Sequence, residues 1–328
     1  MIGAAGMMAA LLKDALLPNL LQTLENTPAL VHAGPFGNIA HGNSSIVADQ
    51  IGRKLGDYLV TEAGFGADLG AEKFFNIKCR ASGMAPDAAV LVTTIRALKA
   101  HSGQFRIVAG RPLPPALLTE NLDALSQGMP NMVKQIENVL LHGVPVVVAI
   151  NHFPDDTEAE IALVRDAALA AGAKEAVVSR VFAQGGRGGV ELAEAVVRVA
   201  EDGSSFRFLY ELDAPIKEKI ATIATKIYGA DGVTFEPAAE RAIRDFTRLG
   251  FDKLPICMAK THLSLSDNPA LRGRPSGFTV TIRDVRASVG AGFLYPLAGQ
   301  MMTMPGLGSA PGGLQVDIHD DGQISGLN

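Results

Sequence analysis

The chain has 328 residues, 48% hydrophobic and 19% charged, with a net charge of -5; at roughly 100 to 200 residues per domain this allows about two domains and a sizeable core. No window approaches the ~18 unbroken apolar residues of a membrane-spanning helix, and neither a basic excess nor aromatics interleaved with Lys and Arg mark a nucleic-acid binder. Two cysteines far apart, Cys79 and Cys257, argue against a disulfide framework or a zinc site and fit a reducing cytoplasm.

The opening "MIGAAGMMAALLKDALLPNLLQTLENTPALV" lacks a basic n-region and is interrupted by Lys13 and Asp14, so it makes a poor signal peptide. It reads as an amphipathic helix stopped near Pro18, then a second short helix; a start in mid-helix points to truncation. From Ala29 to Asn151 apolar runs alternate with helical patterns. "PALVHAG" and "DYLVTEAG" read as buried strands ending in glycine, and "DAAVLVTTI" and "GVPVVVAIN" as β-branched strands. "SSIVADQIGRKLG" and "LTENLDALSQGMPNMVKQIENVLLHG" carry apolar residues at helical spacing. The alternation predicts an α/β fold built on a mainly parallel sheet, whose strand ends present ligand loops.

Within this region "HAGPFGNIAHGNSS" holds three glycines, two histidines and two asparagines. A glycine-rich turn exposes backbone N–H groups that can cradle an oxyanion, with Asn38, His41 and Asn43 as side-chain donors at its rim. An ordinary glycine loop is the competing reading, and His32 reads as a satisfied core histidine. "GFGADLG" similarly frames Phe65 and Asp68 with glycines. Lys73 follows, but the spacing is wrong for a phosphate loop, and no Gly-x-x-x-x-Gly-Lys-Ser/Thr occurs anywhere in the sequence.

"VPVVVAINHFPDD" delivers Asn151 and then acids from a hydrophobic strand, reminiscent of the nucleobase-reading end of P-loop NTPases; a buried strand with an ordinary turn is the simpler reading of the same residues. Thr157 and Glu160 form a capping box and Gly172 a stop. Phe153 and Pro154 at one strand exit, and Phe182 before "AQGGRGG" at the next, are placed either to clamp an aromatic ring or to pack in the core. From Ser204 the character changes. "DAPIKEKIATIATKIYG" puts Ile216, Ile220, Ile223 and Ile227 on one helix face, with Asp213 as cap and Gly229 as stop. "EPAAERAIRDFTRLG" repeats the design with Ile243, Phe246 and Leu249. "LPICMAKT", "GFTVTIRDVRAS" and "GFLYPLAGQMMTMPG" follow as strands and turns. "MAKTHLSLSDNP" gathers Lys260, Thr261, His262, Ser264 and Ser266, a solvated turn or a phosphate contact; "MMTMPGLGSAPGG" reads as a loop pinned on the core.

Taken together, "TPALVHAGPFGNIAHG", "VTEAGFGADLGAEKFFNIKCR", "VPVVVAINHFPDDTEAE", "KIATKIYGADGV", "LPICMAKTHLSLSD" and "GRPSGFTVTIRDVRASVGAGFLYPLAGQMMTMPGL" closely resemble the formate–tetrahydrofolate ligase family, in family order through essentially the whole chain. The resemblance implies formylation of tetrahydrofolate driven by ATP with magnesium, through formyl phosphate, in a cytoplasmic enzyme that is typically a homotetramer. It implies that Phe153 and Phe182 sandwich the pterin, with Pro154, Val178 and Phe65 near it. It also implies that Gly37, Asn38 and His41 line the formyl phosphate site.

The chain departs from the family in several places. Phe182 stands where tryptophan is common and Asn43 where cysteine is common. "SGQFRIVAGRPLPPALLTEN" looks like a surface insertion. Family members are about twice as long, with a Walker A loop and a formyl phosphate-holding arginine in an amino-terminal half. The expectation is therefore a carboxy-terminal fragment or one half of a split gene. Residues 1–66 would be the remnant of a P-loop-type nucleotide domain, 67–203 a folate-binding α/β domain, and 204–328 a small α+β domain. The rival expectation is a folate-binding fragment inactive on its own. The sequence assigns no metal ligands.

Overall fold

The computed structural model describes residues 3–34, 37–107, 111–301, 303 and 310–326. Helix α1 (Ala5–Leu12) buries none of its residues, so the expected amphipathic packing is missing. The second short helix expected after Pro18 is instead a β-hairpin: β1 (Asn19–Gln22) pairs antiparallel with β2 (Pro28–Val31), Leu20 opposite Leu30. The local reason lies in the turn. Asn26 adopts a left-handed φ of 63°, and the Thr23 and Thr27 hydroxyls meet at 2.6 Å, closing a loop that a helix cannot contain.

Two further strand expectations are corrected. "PALVHAG" does supply a strand, but one with a single antiparallel neighbour and no buried residue. "DYLVTEAG" forms no strand, and Val60 is 85% exposed. β-branched residues favour a pleated surface only where a neighbouring strand offers one. The next helix, α2 (Ile46–Leu55), is capped by the Ser45 hydroxyl, which accepts from the Ala48 N–H at 3.0 Å.

A buried helical stretch then widens twice into π-helical turns, Ala67–Ala71 and Phe74–Lys78, before α3 (Cys79–Ser82). Beyond it lies the predicted parallel sheet, in the order β3 (Ala89–Thr93), β4 (Val146–Asn151), β5 (Glu175–Ser179). Leu91 pairs with Val148, and Ile150 with Val178. The crossovers are α4 (Ile95–His101) with α5 (Leu122–Leu140), and α6 (Glu158–Ala170). Val146 to Ile150 are buried on both faces, each such side chain stabilising the fold by about 1.5–3 kcal/mol. One face packs on Ile95, Leu125, Ile136 and Val164. After the short α7 (Val181–Gln184), α8 (Val190–Glu201) covers the other face with Ala195 and Val199. The predicted Thr157–Glu160 capping box is present, and Glu160 also pairs with buried Lys99 at 2.6 Å.

The last unit has its own core. Helix α9 (Ile216–Thr222) widens into a π-helical segment, Ile223–Tyr228, that ends at Gly229 with φ 80°. Ile216, Ile220, Ile223 and Ile227 are all buried, as their spacing requires. The expected Asp213 cap is absent because Pro215 occupies the cap position and no side chain caps the helix. Then come β6 (Gly232–Phe235), α10 (Pro237–Arg248), β7 (Thr279–Ser288) and β8 (Phe293–Ala298). β6 runs parallel to β7, and β7 antiparallel to β8. "LPICMAKT" lies along β8 through bridges at Ile256–Leu294 and Ala259–Leu297. On α10, Ile243 is buried while Leu249, beyond its end, is exposed. Two short strands, β9 (Asp317–Ile318) and β10 (Ile324–Ser325), form a hairpin near the end. The methionine-rich segment read as a loop pinned on the core falls largely outside the described residues, as do Pro35 and Phe36 of the glycine-rich turn and 108–110 of the expected insertion.

Candidate functional site

The glycine-rich turn at 37–43 packs where three distant segments meet. Gly42 has φ +96°, and a Cβ there would lie 2.3 Å from the Gly70 carbonyl oxygen; one on Gly70 would lie 1.9 Å from that of Gly64. The Gly64 N–H donates to the Gly42 carbonyl at 2.9 Å. Glycine is needed here for close backbone approach, which brings the turn, the 64–66 loop and the helical stretch into contact.

Phe65 follows at a left-handed φ of 63°, a conformation that costs a bulky residue about 1–3 kcal/mol and persists only when its surroundings over-determine it. Its ring stacks on His262 at 4.9 Å with an interplanar angle of 16°. The same ring lies over Gly37, where a Cβ would sit 2.8 Å from Phe65 Cε2. The structure thus brings Gly37, Asn38, Phe65 and His262 together at a half-exposed aromatic platform.

Behind the platform lies a buried polar layer whose residues the sequence partly singled out but whose burial and pairing it did not reveal. Lys73 donates to the Gly37 and Asn38 carbonyls at 2.8 and 3.0 Å. Lys260 pairs with Asp68 at 2.7 Å, and Gln135 of α5 holds Asp68 through reciprocal hydrogen bonds of 2.9 Å. Burial lowers the Lys260 pKa, with Asp68 opposing that shift. The Cys257 thiol donates to the Ala40 carbonyl at 3.3 Å, and burial pushes it up to about 11, so it stays protonated. Burial also raises Glu72 to about 8, with Asn76 and Lys73 pulling the other way, so this carboxyl is largely neutral at pH 7. The signal that was available is the placement of Glu72, Lys73 and Lys78 inside an otherwise apolar run.

His41 is half-buried, and its Nε2 donates to the Ser44 carbonyl at 3.0 Å, which makes Nδ1 the lone-pair nitrogen of the neutral ring. The buried carboxamides of Asn38 and Asn43 have no partner among the described residues. His32 is half-buried rather than in the core: Nε2 donates to the Ala15 carbonyl at 2.7 Å, and the Ser45 hydroxyl bonds Nδ1 at 2.7 Å. Ser264 and Ser266 are buried and bond to each other at 2.9 Å, which favours the turn reading of "THLSLSD" over a phosphate contact.

The remaining predicted residues lie at the carboxyl edge of the parallel sheet. Asn151 pairs with Ser179, and Phe153 follows β4 with its N–H donating to Asp156 at 2.8 Å. The Arg96 guanidinium lies 3.5 Å from the Phe153 ring centroid, so one face of that ring is covered. Burial raises the Asp156 pKa, against the Phe153 N–H that favours its charged form. Pro154 is exposed, whereas Val178 is buried in β5. Phe182 on α7 is 88% exposed. The glycine loop after it accepts the tip of the β1–β2 hairpin, where the Gly186 N–H donates to Glu25 at 2.8 Å. The structure therefore sets Phe65 beside the glycine turn, and Phe153, Pro154, Val178 and Phe182 along the edge of β4 and β5.

Comparison with known proteins follows the same lines. The family model described as formate–tetrahydrofolate ligase matches residues 1–328. The chain is 59% identical over 325 residues to a formate–tetrahydrofolate ligase of Saccharopolyspora erythraea, covering 99% of this chain and 57% of that protein. Ligase 3 of Rubrobacter xylanophilus is 57% identical over 335 residues, covering 99% of this chain and 58% of its own length. The ligase of Chloroflexus aurantiacus is 58% identical over 328 residues, with 99% and 57% covered. The chain thus spans somewhat more than half the length of these relatives.

Proposed function

The chain belongs to the formate–tetrahydrofolate ligase family, and from that premise we propose that it serves the ATP-dependent formylation of tetrahydrofolate to 10-formyltetrahydrofolate, supplying the folate side and part of a formyl phosphate site. A formate oxygen attacks the γ-phosphorus of ATP and ADP leaves. The bridging amine of tetrahydrofolate then attacks the formyl carbon, phosphate departs with the C–O bonding pair, and the amine proton is lost. Both steps depend on alignment and on neutralising phosphate charge.

In this reading Gly37 and Asn38 form the wall against formyl phosphate, and His41 Nδ1 accepts the amine proton. Phe153 and Phe182 hold the pterin, with Pro154 and Val178 beneath it and Phe65 at its rim. The single observation that carries the proposal is the convergence of the glycine turn, the Phe65–His262 stack and buried Lys73 and Lys260 on one point. Magnesium does not fit the residues in hand. Asp68 is engaged by Lys260, Glu72 is largely protonated, and no three His, Cys, Asp or Glu side chains converge among the described residues.

On the same footing we assign residues 1–66 to the remnant of a P-loop-type nucleotide domain, 67–203 to folate binding and 204–328 to a carboxy-terminal unit, in a cytoplasmic homotetramer or beside an amino-terminal half. A second reading is favoured by the sequence's lack of a Gly-x-x-x-x-Gly-Lys-Ser/Thr loop: the chain holds folate but does not activate formate alone. Titrating tetrahydrofolate into the 328-residue chain, then adding formate and ATP, tests both. Binding without product supports the second reading for the isolated chain, and product formation overturns it. Absence of tetrahydrofolate binding overturns the folate assignment.

A further inference from the structure

Six lysines are buried among the described residues: Lys73, Lys78, Lys99, Lys134, Lys219 and Lys260. Lys78, Lys99, Lys134 and Lys260 each face a carboxylate within 4.0 Å. Lys219 has none, but its three N–H groups meet the carbonyls of Leu212, Asp252 and Leu254 at 3.1, 2.5 and 2.9 Å. Lys73 shares the carbonyl pattern of Lys219, but with two carbonyls rather than three, both from one distant turn. Its side chain is fully buried, it has no carboxylate at ion-pair distance among the described residues, and it reaches across 36 and 35 positions to the carbonyls of Gly37 and Asn38.

That geometry dictates which way the turn faces. A trans peptide directs its C=O and N–H oppositely, and the chain has no cis peptide among the described residues. With the Gly37 and Asn38 carbonyls drawn onto the ammonium, the N–H groups of Asn38 and Ile39 face away from it. Neither donates to a backbone acceptor among the described residues. Two successive N–H groups directed away from the ammonium and without an acceptor are the elements of an anion nest. Asn38 adds a second observation: its carboxamide, 1% exposed, has neither atom paired. The charge behind the turn is not cancelled, because Asp68 is taken up by Lys260 and Glu72 is largely neutral at pH 7.

We propose that Lys73 is the positioning residue of the 37–43 turn, its ammonium both aiming the Asn38 and Ile39 N–H groups at an oxyanion and leaving a net positive charge behind them. The ligand class is a small phosphate or acyl phosphate. The ligand part rests on the formyl phosphate reading above, whereas the tether does not.

The test uses the full chain and two variants, Lys73→Met, which removes tether and charge, and Lys73→Gln, which keeps a donor without the charge. In Lys73→Met, exchange of the Gly64 amide, which donates to the Gly42 carbonyl of the turn at 2.9 Å, is expected to accelerate by about tenfold or more while β4 keeps its protection, and Lys73→Gln restores slow exchange. Inorganic phosphate is expected to shift the Asn38 and Ile39 amide resonances of the wild type, with an apparent Kd several-fold weaker in Lys73→Gln. Unchanged exchange in Lys73→Met overturns the tether. Equal phosphate affinity in wild type and Lys73→Gln overturns the charge role. Phosphate that leaves the wild-type resonances unmoved overturns the oxyanion reading, while the exchange comparison still decides the tether. Should Lys73→Met fail to fold, the carbonyl carbon resonances of Gly37 and Asn38, which accept from Lys73, are expected to shift in Lys73→Gln, and unmoved resonances overturn the tether, while phosphate binding in the same variant decides the charge role.

Discussion

The two halves of the candidate site are built in opposite ways. Around the 37–43 turn, backbones touch through glycines, Phe65 is held in a strained conformation, and buried lysines fix carbonyls from behind. At the edge of β4 and β5, Phe153 is covered on one face by Arg96, and Phe182 stands almost wholly in solvent. The first half is set by folding; the second leaves an aromatic ring open to solvent. A half held by buried charge tolerates little change, whereas an open aromatic edge adapts to a flat ligand at small cost to the fold.

The sharpest way to break this contrast is Lys260→Met. It leaves Asp68 buried without its partner, and the expected loss is about 3–5 kcal/mol of stability, read from urea unfolding. Adding Asp68→Asn should recover part of that loss, since both charges are then gone. A loss within about 0.5 kcal/mol, the range of ordinary surface changes, would sink the view that this half is held by buried charge.

Gly70→Ala comes next. The added Cβ meets the Gly64 carbonyl at 1.9 Å, and the strain should cost about 1–3 kcal/mol. It should also perturb Phe65, so a loss of the Phe65–His262 contact in NMR spectra is expected alongside the fall in unfolding midpoint.

The third prediction concerns pH. Glu72 has an ordinary value of 4.5 and a folded value near 8, raised by burial. Below the lower value it is protonated folded and unfolded alike. Between the two, the unfolded chain releases the proton and the folded chain keeps it, so this group makes stability fall as pH rises, by at most about 1.4 kcal/mol per unit. His142, lowered by burial to about 4, acts in the opposite sense up to its ordinary 6.5. The window from 6.5 to 8 therefore separates the two. Glu72→Gln, which never ionises, should flatten the slope there relative to wild type; parallel slopes would contradict the assignment.

The smallest expected effect on folding belongs to Phe182→Ala, within about ±0.5 kcal/mol because nothing packs over the ring. Tetrahydrofolate binding should nevertheless weaken by the ~0.5–1.5 kcal/mol of an offset stack, and Phe182→Trp should strengthen it by enlarging the stacking area. Joint substitution of Phe153 and Phe182 by alanine with unchanged tetrahydrofolate affinity would remove the sandwich proposal altogether.

Much of the fold was legible where the signal was local. The capping box at Thr157, the isoleucine stripe from Ile216 to Ile227 and the β-branched run at Val146–Ile150 each contain their own reason for forming. The hairpin at 19–31 and the unpaired "DYLVTEAG" were misread because a strand is defined by its neighbour, and no sequence pattern states whether a neighbour exists. In the site, the glycine turn and the edge phenylalanines were visible as residue types at strand exits. The contacts of Lys73 and the Lys260–Asp68 pairing were not, because the partners lie dozens to nearly two hundred positions away.

By itself the sequence determined the α/β class, the presence of a parallel sheet, the capping box at Thr157 and the stop at Gly229, and the family resemblance, since these follow from short-range periodicity and motif order. Only the tertiary structure decided which side of the 37–43 turn faces inward. That choice is electrostatic: a fully buried ammonium must find carbonyl partners, and it finds them at Gly37 and Asn38.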